Sequence, residues 1–174
     1  CTNLVSVTLP QGLISIGESA FKNCRNLKDI TLPEGLTFIG AQAFRNCSSL
    51  LFMNLPDGLT TIRRYAFSDC ANLLEITLPQ KLTSIEYSAF FRCSRLARIT
   101  LPEGLTSIGE FAFHSCTNFT DVILPTTVET IGKFAFYSCS LTSITLPATM
   151  TTIGRAVFEN CTGLTDITLP EGLT

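Results

Sequence analysis

The sequence predicts a repeat solenoid, one short structural unit stacked on copies of itself. Three observations carry that prediction. Cysteines fall at 1, 24, 47, 70, 93, 116, 139 and 161, giving six intervals of 23 residues and a last one of 22. Prolines at 10, 33, 56, 79, 102, 125, 147 and 170 keep the same rhythm. Between these marks apolar residues recur in fixed columns. A unit this short cannot close a core alone, so the columns are buried only when neighbours stack.

The unit reads C-x-x-L-x-x-I-x-L-P-x-G-L-T-x-I-G-x-x-A-F-x-x, in seven full copies and a 14-residue remainder. Residues 1–174 are therefore one array of 22–23-residue repeats with a partial copy at the end. The short step is one residue missing between Cys139 and Leu141. The chain opens on Cys1 and stops on Thr174, each inside a motif, and is read as a piece of a longer protein.

Each element of the unit follows from its residues. In "LKDITLP" (27–33) Ile30 and Leu32 alternate with Thr31, the period of a half-buried strand. Pro33 cannot donate to a ladder, so the strand ends there and the chain turns. "LTFIG" (36–40) supplies a second short extended piece with Leu36 and Ile39 inward. "AQAFRNC" (41–47) has spacing suited to one helical or 3₁₀ turn, with Ala43, Phe44 and Cys47 facing in. The glycine after proline is replaced by Lys81, Thr127 and Thr149 in some copies, and the glycine of "IG" by Arg63 and Glu86. A β-branched Thr suits positive φ poorly, so the first turn does not demand it.

Composition excludes several classes. No apolar run approaches the roughly 20 residues of a membrane-spanning helix. A formal net charge of −2 gives no overall pull toward nucleic acid or an anionic membrane. The charge is uneven, with six bases against three acids over 63–98 and two bases against seven acids over 99–174.

The unit resembles a leucine-rich repeat, whose L-x-x-L-x-L is met here as L-x-x-I-x-L-P. More narrowly, "LPxGLTxIGxxAFxxC" resembles the BspA-type leucine-rich repeat of bacterial and protist surface proteins, and the resemblance covers the whole chain. It implies a right-handed superhelix with a parallel β-sheet on the concave face and short extended and helical or 3₁₀ turns on the other sides. It also implies an extracellular, cell-surface module for adhesion and protein binding. The departures are the missing residue after Cys139 and Val157 in place of Ala.

Eight cysteines raise disulfides and metal as alternatives to packing. Equivalent residues in stacked coils lie about 4.7–4.9 Å apart. Parallel ladder side chains keep Cβ atoms near that separation, above the roughly 3.8 Å mean of a disulfide. No C-x₂-C cluster of the kind that holds zinc occurs. A ladder of buried free thiols is the favoured reading, and no metal or cofactor is expected.

Catalysis finds no foothold in the residues. His114 is the only histidine, and it sits on the outer side of a turn two residues before Cys116. Asp29, Glu75 and Asp121 occupy a variable column in different coils, without the held geometry that acid–base work needs. The expected function is a non-catalytic extracellular interaction module. The alternative is a structural spacer or array that stacks head to tail through uncapped ends.

Candidate binding residues are those that vary. On the concave strand face they are Phe52, Asn54, Glu75, Arg98, Asp121 and Ile123, set against small and acidic neighbours. Aromatic residues and arginine are the types enriched in binding hot spots. Around the "AF" of the outer turn, the middle coils carry Tyr65, Tyr87, Phe91, Phe111, Phe134 and Tyr137. These rings either lean over the gaps between coils and cover the core or form a patch for a partner or for self-association. The expected partner is a protein of a host or matrix surface, with no nucleic acid and no membrane insertion.

Overall fold

The computed structural model describes residues 1–173. Thr174, with which the array read from the sequence ends, lies outside them. The chain winds as a parallel β-solenoid of about 7 turns. In chain order the strands are β1 (Ser6–Thr8), β2 (Ser15–Ile16), β3 (Asp29–Thr31), β4 (Phe38–Ile39), β5 (Phe52–Asn54), β6 (Thr61–Ile62), β7 (Glu75–Thr77), β8 (Ser84–Ile85), β9 (Ser107–Ile108), β10 (Thr130–Ile131), β11 (Ser143–Thr145) and β12 (Asp166–Thr168).

The three-residue strands line the concave face, and the two-residue strands line the face beyond the proline turn. On the concave face β1 pairs with β3, β5 with β7 and β11 with β12, all parallel. Arg98 and Asp121 join by an isolated bridge. The concave ladder thus closes pairs of coils. Among the described residues no ladder joins β3 to β5, β7 to residues 98–100, or residues 121–123 to β11. On the second face β2 pairs with β4, while β6, β8, β9 and β10 form one four-stranded sheet.

The core is the set of columns the sequence marks. Leu36, Ile39, Ala43, Phe44 and Cys47 of one coil are buried, as are their counterparts Leu59, Ile62, Ala66, Phe67 and Cys70 in the next. The Phe rings make a continuous stack: Phe21, Phe44, Phe67, Phe90, Phe113 and Phe136 follow one another with centroids 5.3–5.6 Å apart and planes within 9°. That spacing falls in the range where offset-stacked rings attract beyond simple burial. Phe119, standing in a leucine column, joins the stack 5.3 Å from Phe113.

The outer segment differs from the helical or 3₁₀ turn expected from its spacing. It is a run of consecutive turns in which N–H groups alternate in direction. The Phe21 N–H donates to the Ala43 carbonyl of the next coil at 2.8 Å, whereas the Lys22 N–H turns back to the Ser19 carbonyl at 3.1 Å. The cause is backbone handedness. In every full coil two non-glycine residues hold positive φ: Ser19 (58°) and Asn23 (62°) in the first, Tyr65 (57°) and Asp69 (62°) in the third, Phe134 (57°) and Ser138 (55°) in the sixth. A right-handed helix cannot propagate through such positions.

Glycine has a packing role after the second strand. A Cβ at Gly40 would come 2.5 Å from the Glu18 backbone nitrogen, and one at Gly132 would come 2.4 Å from that of Glu110. Arg63 fills this position where the second-face ladder is broken, between β4 and β6. The post-proline glycines hold no positive φ except Gly172, which explains why threonine substitutes there. The Thr127 hydroxyl donates to the Leu105 carbonyl at 2.8 Å, and that of Thr149 to the Val128 carbonyl at 2.7 Å.

Candidate functional site

The concave face is built from side chains that alternate outward along each inner strand. Phe52 is 55% exposed on β5, and its register partner on β7 is Glu75. Asn54, two residues on, accepts a hydrogen bond from the Thr77 hydroxyl at 3.0 Å. Ile123 is 82% exposed, an unusual position for a branched apolar side chain. Arg98 and Asp121 are exposed register partners at the isolated bridge.

Open clefts lie between these strands. One, about 590 Å³, sits where the ladder is missing between β7 and residues 98–100, and Glu75, Thr77, Gln80 and Arg98 line it. A second, about 280 Å³, brings Arg98, Glu103, Asp121 and Ile123 together. A third places Phe52 and Asn54 opposite Asp29 and Glu34 across the open interface between β3 and β5. The structure therefore distributes the six concave candidates over three clefts, of which the first two share Arg98 and the third lies on the far side of the paired strands β5 and β7.

The outer candidates are in mutual contact. Tyr65 meets Tyr87 at 5.3 Å, Tyr87 meets Phe111 at 5.6 Å, and Phe111 stacks on Phe134 at 5.0 Å. A second row runs beside it, with Phe91 5.0 Å from His114 and His114 stacked on Tyr137 at 4.6 Å. Phe134 and Tyr137 close the two rows at 5.8 Å. Arginines cover the rims. Arg45 lies 5.1 Å over Tyr65, Arg92 lies 4.9 Å over Phe91, and Arg155 lies 6.0 Å over Phe134. Such contacts hold guanidinium groups by the negative ring face. Most of these rings are half-buried against one another, and Tyr87 alone of the six is exposed.

His114 is the residue whose setting its sequence position concealed. Read as an exposed lone histidine, it is half-buried between Phe91 and Tyr137, with Phe111 5.5 Å away. Burial lowers its pKa, and the nearby Arg92 adds to the effect. Its Nδ1 lies 2.8 Å from the Ser115 hydroxyl. Aromatic residues at the same column in neighbouring coils were the available signal.

The cysteines belong to the scaffold. All eight are free, and all but Cys1 are buried. From Cys47 to Cys161 each thiol donates to a phenylalanine carbonyl of the coil before it, among them Cys47 to Phe21, Cys70 to Phe44 and Cys116 to Phe90, each at 3.1 Å. Burial pushes the Cys47 and Cys116 thiols up to about 12 and raises those of Cys70, Cys93 and Cys139 as well. Thiols held in this way are poor nucleophiles.

A solenoid of short parallel strands with leucine, isoleucine and phenylalanine columns defines the leucine-rich-repeat class. The chain belongs to the family described as BspA type leucine rich repeat region, whose model matches six copies over residues 1–110 and 83–174. A leucine-rich repeat protein from Bacteroides ovatus is similar over 97% of this chain and 46% of its own, at 37% identity and a TM-score of 0.93. A leucine rich cell surface protein from Faecalibacterium prausnitzii is similar over 95% of this chain and 47% of its own, at 32% identity and a TM-score of 0.86. The leucine-rich repeat protein of T. pallidum is 32% identical over 96% of this chain and 71% of its own, with a TM-score of 0.66. The chain spans about half the length of the first two. No curated protein matches its sequence. Repeats of this family generally serve protein interaction and are generally non-catalytic. Among the described residues no helix is long and apolar enough to cross a membrane.

Proposed function

We propose that the chain is an extracellular adhesion module that holds a protein ligand of a host or matrix surface on its concave face. The observation that carries this reading is the exposure of two large apolar side chains, Ile123 and Phe52, on the face formed by the inner strands. Exposed apolar side chains gain free energy when a partner covers them, and aromatic residues are among the types enriched in binding hot spots. The likeness to a protein described as a cell surface protein supports the location. The test is surface plasmon resonance of the chain against a panel of purified extracellular-matrix proteins. At least one should bind, and Phe52→Ala with Arg98→Ala should weaken that binding about tenfold or more, since such anchors carry roughly 1–2 kcal/mol each. Binding unchanged by the pair moves the site off this face.

A second reading is an array built by stacking copies end to end. It is favoured by the repeat itself, since each coil already takes a coil of the same residue columns in register, as Val7 pairs with Ile30. Light scattering over a concentration series decides it, and a strict monomer at high concentration removes it.

A further inference from the structure

The concave face carries a periodicity of two coils. Its register pairs are Ser6 with Asp29, Phe52 with Glu75, Arg98 with Asp121, and Ser143 with Asp166. The second member of every pair is an acid and the first is never one. All four acids are exposed, and none makes an ion pair among the described residues. Charge is also sorted between faces. The inner strands and the turns after them (5–12, 28–35, 51–58, 74–81, 97–104, 120–127, 142–149 and 165–172) hold eight acids and three bases, a net of −5. The rest of the chain holds nine bases and six acids, a net of +3.

Two coils span about 9.6 Å, twice the 4.7–4.9 Å separation of neighbouring strands. A polyproline II helix advances about 9.3 Å per turn of three residues. A β-strand laid along the same axis returns to one face about every 6.6 Å and misses this spacing. We propose that the concave face binds a polyproline II segment with a lysine or arginine at every third position, lying along the solenoid axis. This rests on reading the face as protein-binding and names the chemistry of its partner. The basic residues meet Asp29, Glu75, Asp121 and Asp166 in step. The coils between supply the other contacts such a segment needs. Phe52 offers a ring face to proline, the contact by which aromatic-lined grooves take proline-rich chains. Arg98 donates to the segment's solvated carbonyls, which have no internal hydrogen bonds to lose.

Fluorescence anisotropy tests the proposal with the 174-residue chain and two labelled peptides of identical composition. One is five repeats of Lys-Pro-Pro; the other has its five lysines in one block. The repeat peptide should bind at least tenfold more tightly, and Glu75→Gln with Asp121→Asn should weaken it about tenfold while leaving the circular dichroism spectrum unchanged. Equal affinity for both peptides reduces the effect to undirected charge attraction and overturns the proposal, as does failure of both to bind. If both fail while Phe52→Ala with Arg98→Ala still weakens a matrix protein, only this inference falls. If that pair is silent too, the underlying reading falls with it.

Discussion

The Sγ of Cys93 lies 3.1 Å from the carbonyl oxygen of Phe67, which also accepts the N–H of Cys70 at 3.2 Å. One carbonyl is thereby shared between its own coil and the next. The same pair of bonds recurs at Phe44, with the Cys47 N–H and the Cys70 thiol. Cysteine suits this place because it is small and apolar enough to stack, yet still donates.

Replacing that thiol should cost both packing and a hydrogen bond. Cys93→Ala is expected to lower unfolding free energy by about 2 kcal/mol, from a small cavity and one lost donor. Urea denaturation followed by circular dichroism measures it. A loss under about 0.5 kcal/mol contradicts the shared-carbonyl account.

Thiol labelling probes the whole column. In native protein one group, Cys1, should react readily with a maleimide at neutral pH, because the other seven are buried. All eight should react in denaturant. Fewer than about seven under those conditions contradicts the free-thiol ladder.

Backbone strain gives a stabilising substitution. Ala156 holds φ of 55°, a conformation that costs an alanine about 1–2 kcal/mol. Ala156→Gly should therefore raise stability by about 0.5–1 kcal/mol, after the entropy that glycine loses on folding. Ala135→Gly, in the buried core and without positive φ, should do the reverse. Thermal melts of the two variants should move in opposite directions.

His114 makes stability depend on pH. Its pKa is lowered in the folded chain, so the unfolded chain binds the proton more readily. The contribution is whole above the ordinary histidine pKa and shrinks as pH falls through it toward the lower folded value. The groups facing the ring are Arg92, Ser115, Phe91, Phe111 and Tyr137. The melting temperature should fall between pH 8 and pH 5, and His114→Gln should flatten that slope. An unchanged slope places the effect elsewhere.

The legible part of this molecule was the part that repeats. Leu36, Ile39, Phe44 and Cys47 recur in their columns, and stacking alone explains their burial. What escaped depends on relations between coils or on backbone sign. Asn23, Asn46, Asp69 and Asn160 precede their cysteines and are residue types that tolerate positive φ, a signal of the turn run. Tyr65, Phe111 and Phe134 hold the same sign without any such preference, which hid the second position. The candidate surfaces were legible as lists of varying residues, but not as geometry. The acid at every second coil needs the register pairs to acquire meaning, and the histidine needs its neighbours from the coils before and after.

The claim that function lies on the concave face has a direct test in hydrogen–deuterium exchange with and without a bound matrix protein. Residues 98–100 and 121–123 lie outside the regular strands, so their amides should exchange quickly in the free chain. Binding should slow exchange in those two segments and in Phe52–Asn54, and leave the outer turns unchanged. Protection confined to the turns between Tyr65 and Tyr137, with none at 98–100 or 121–123, would contradict the account.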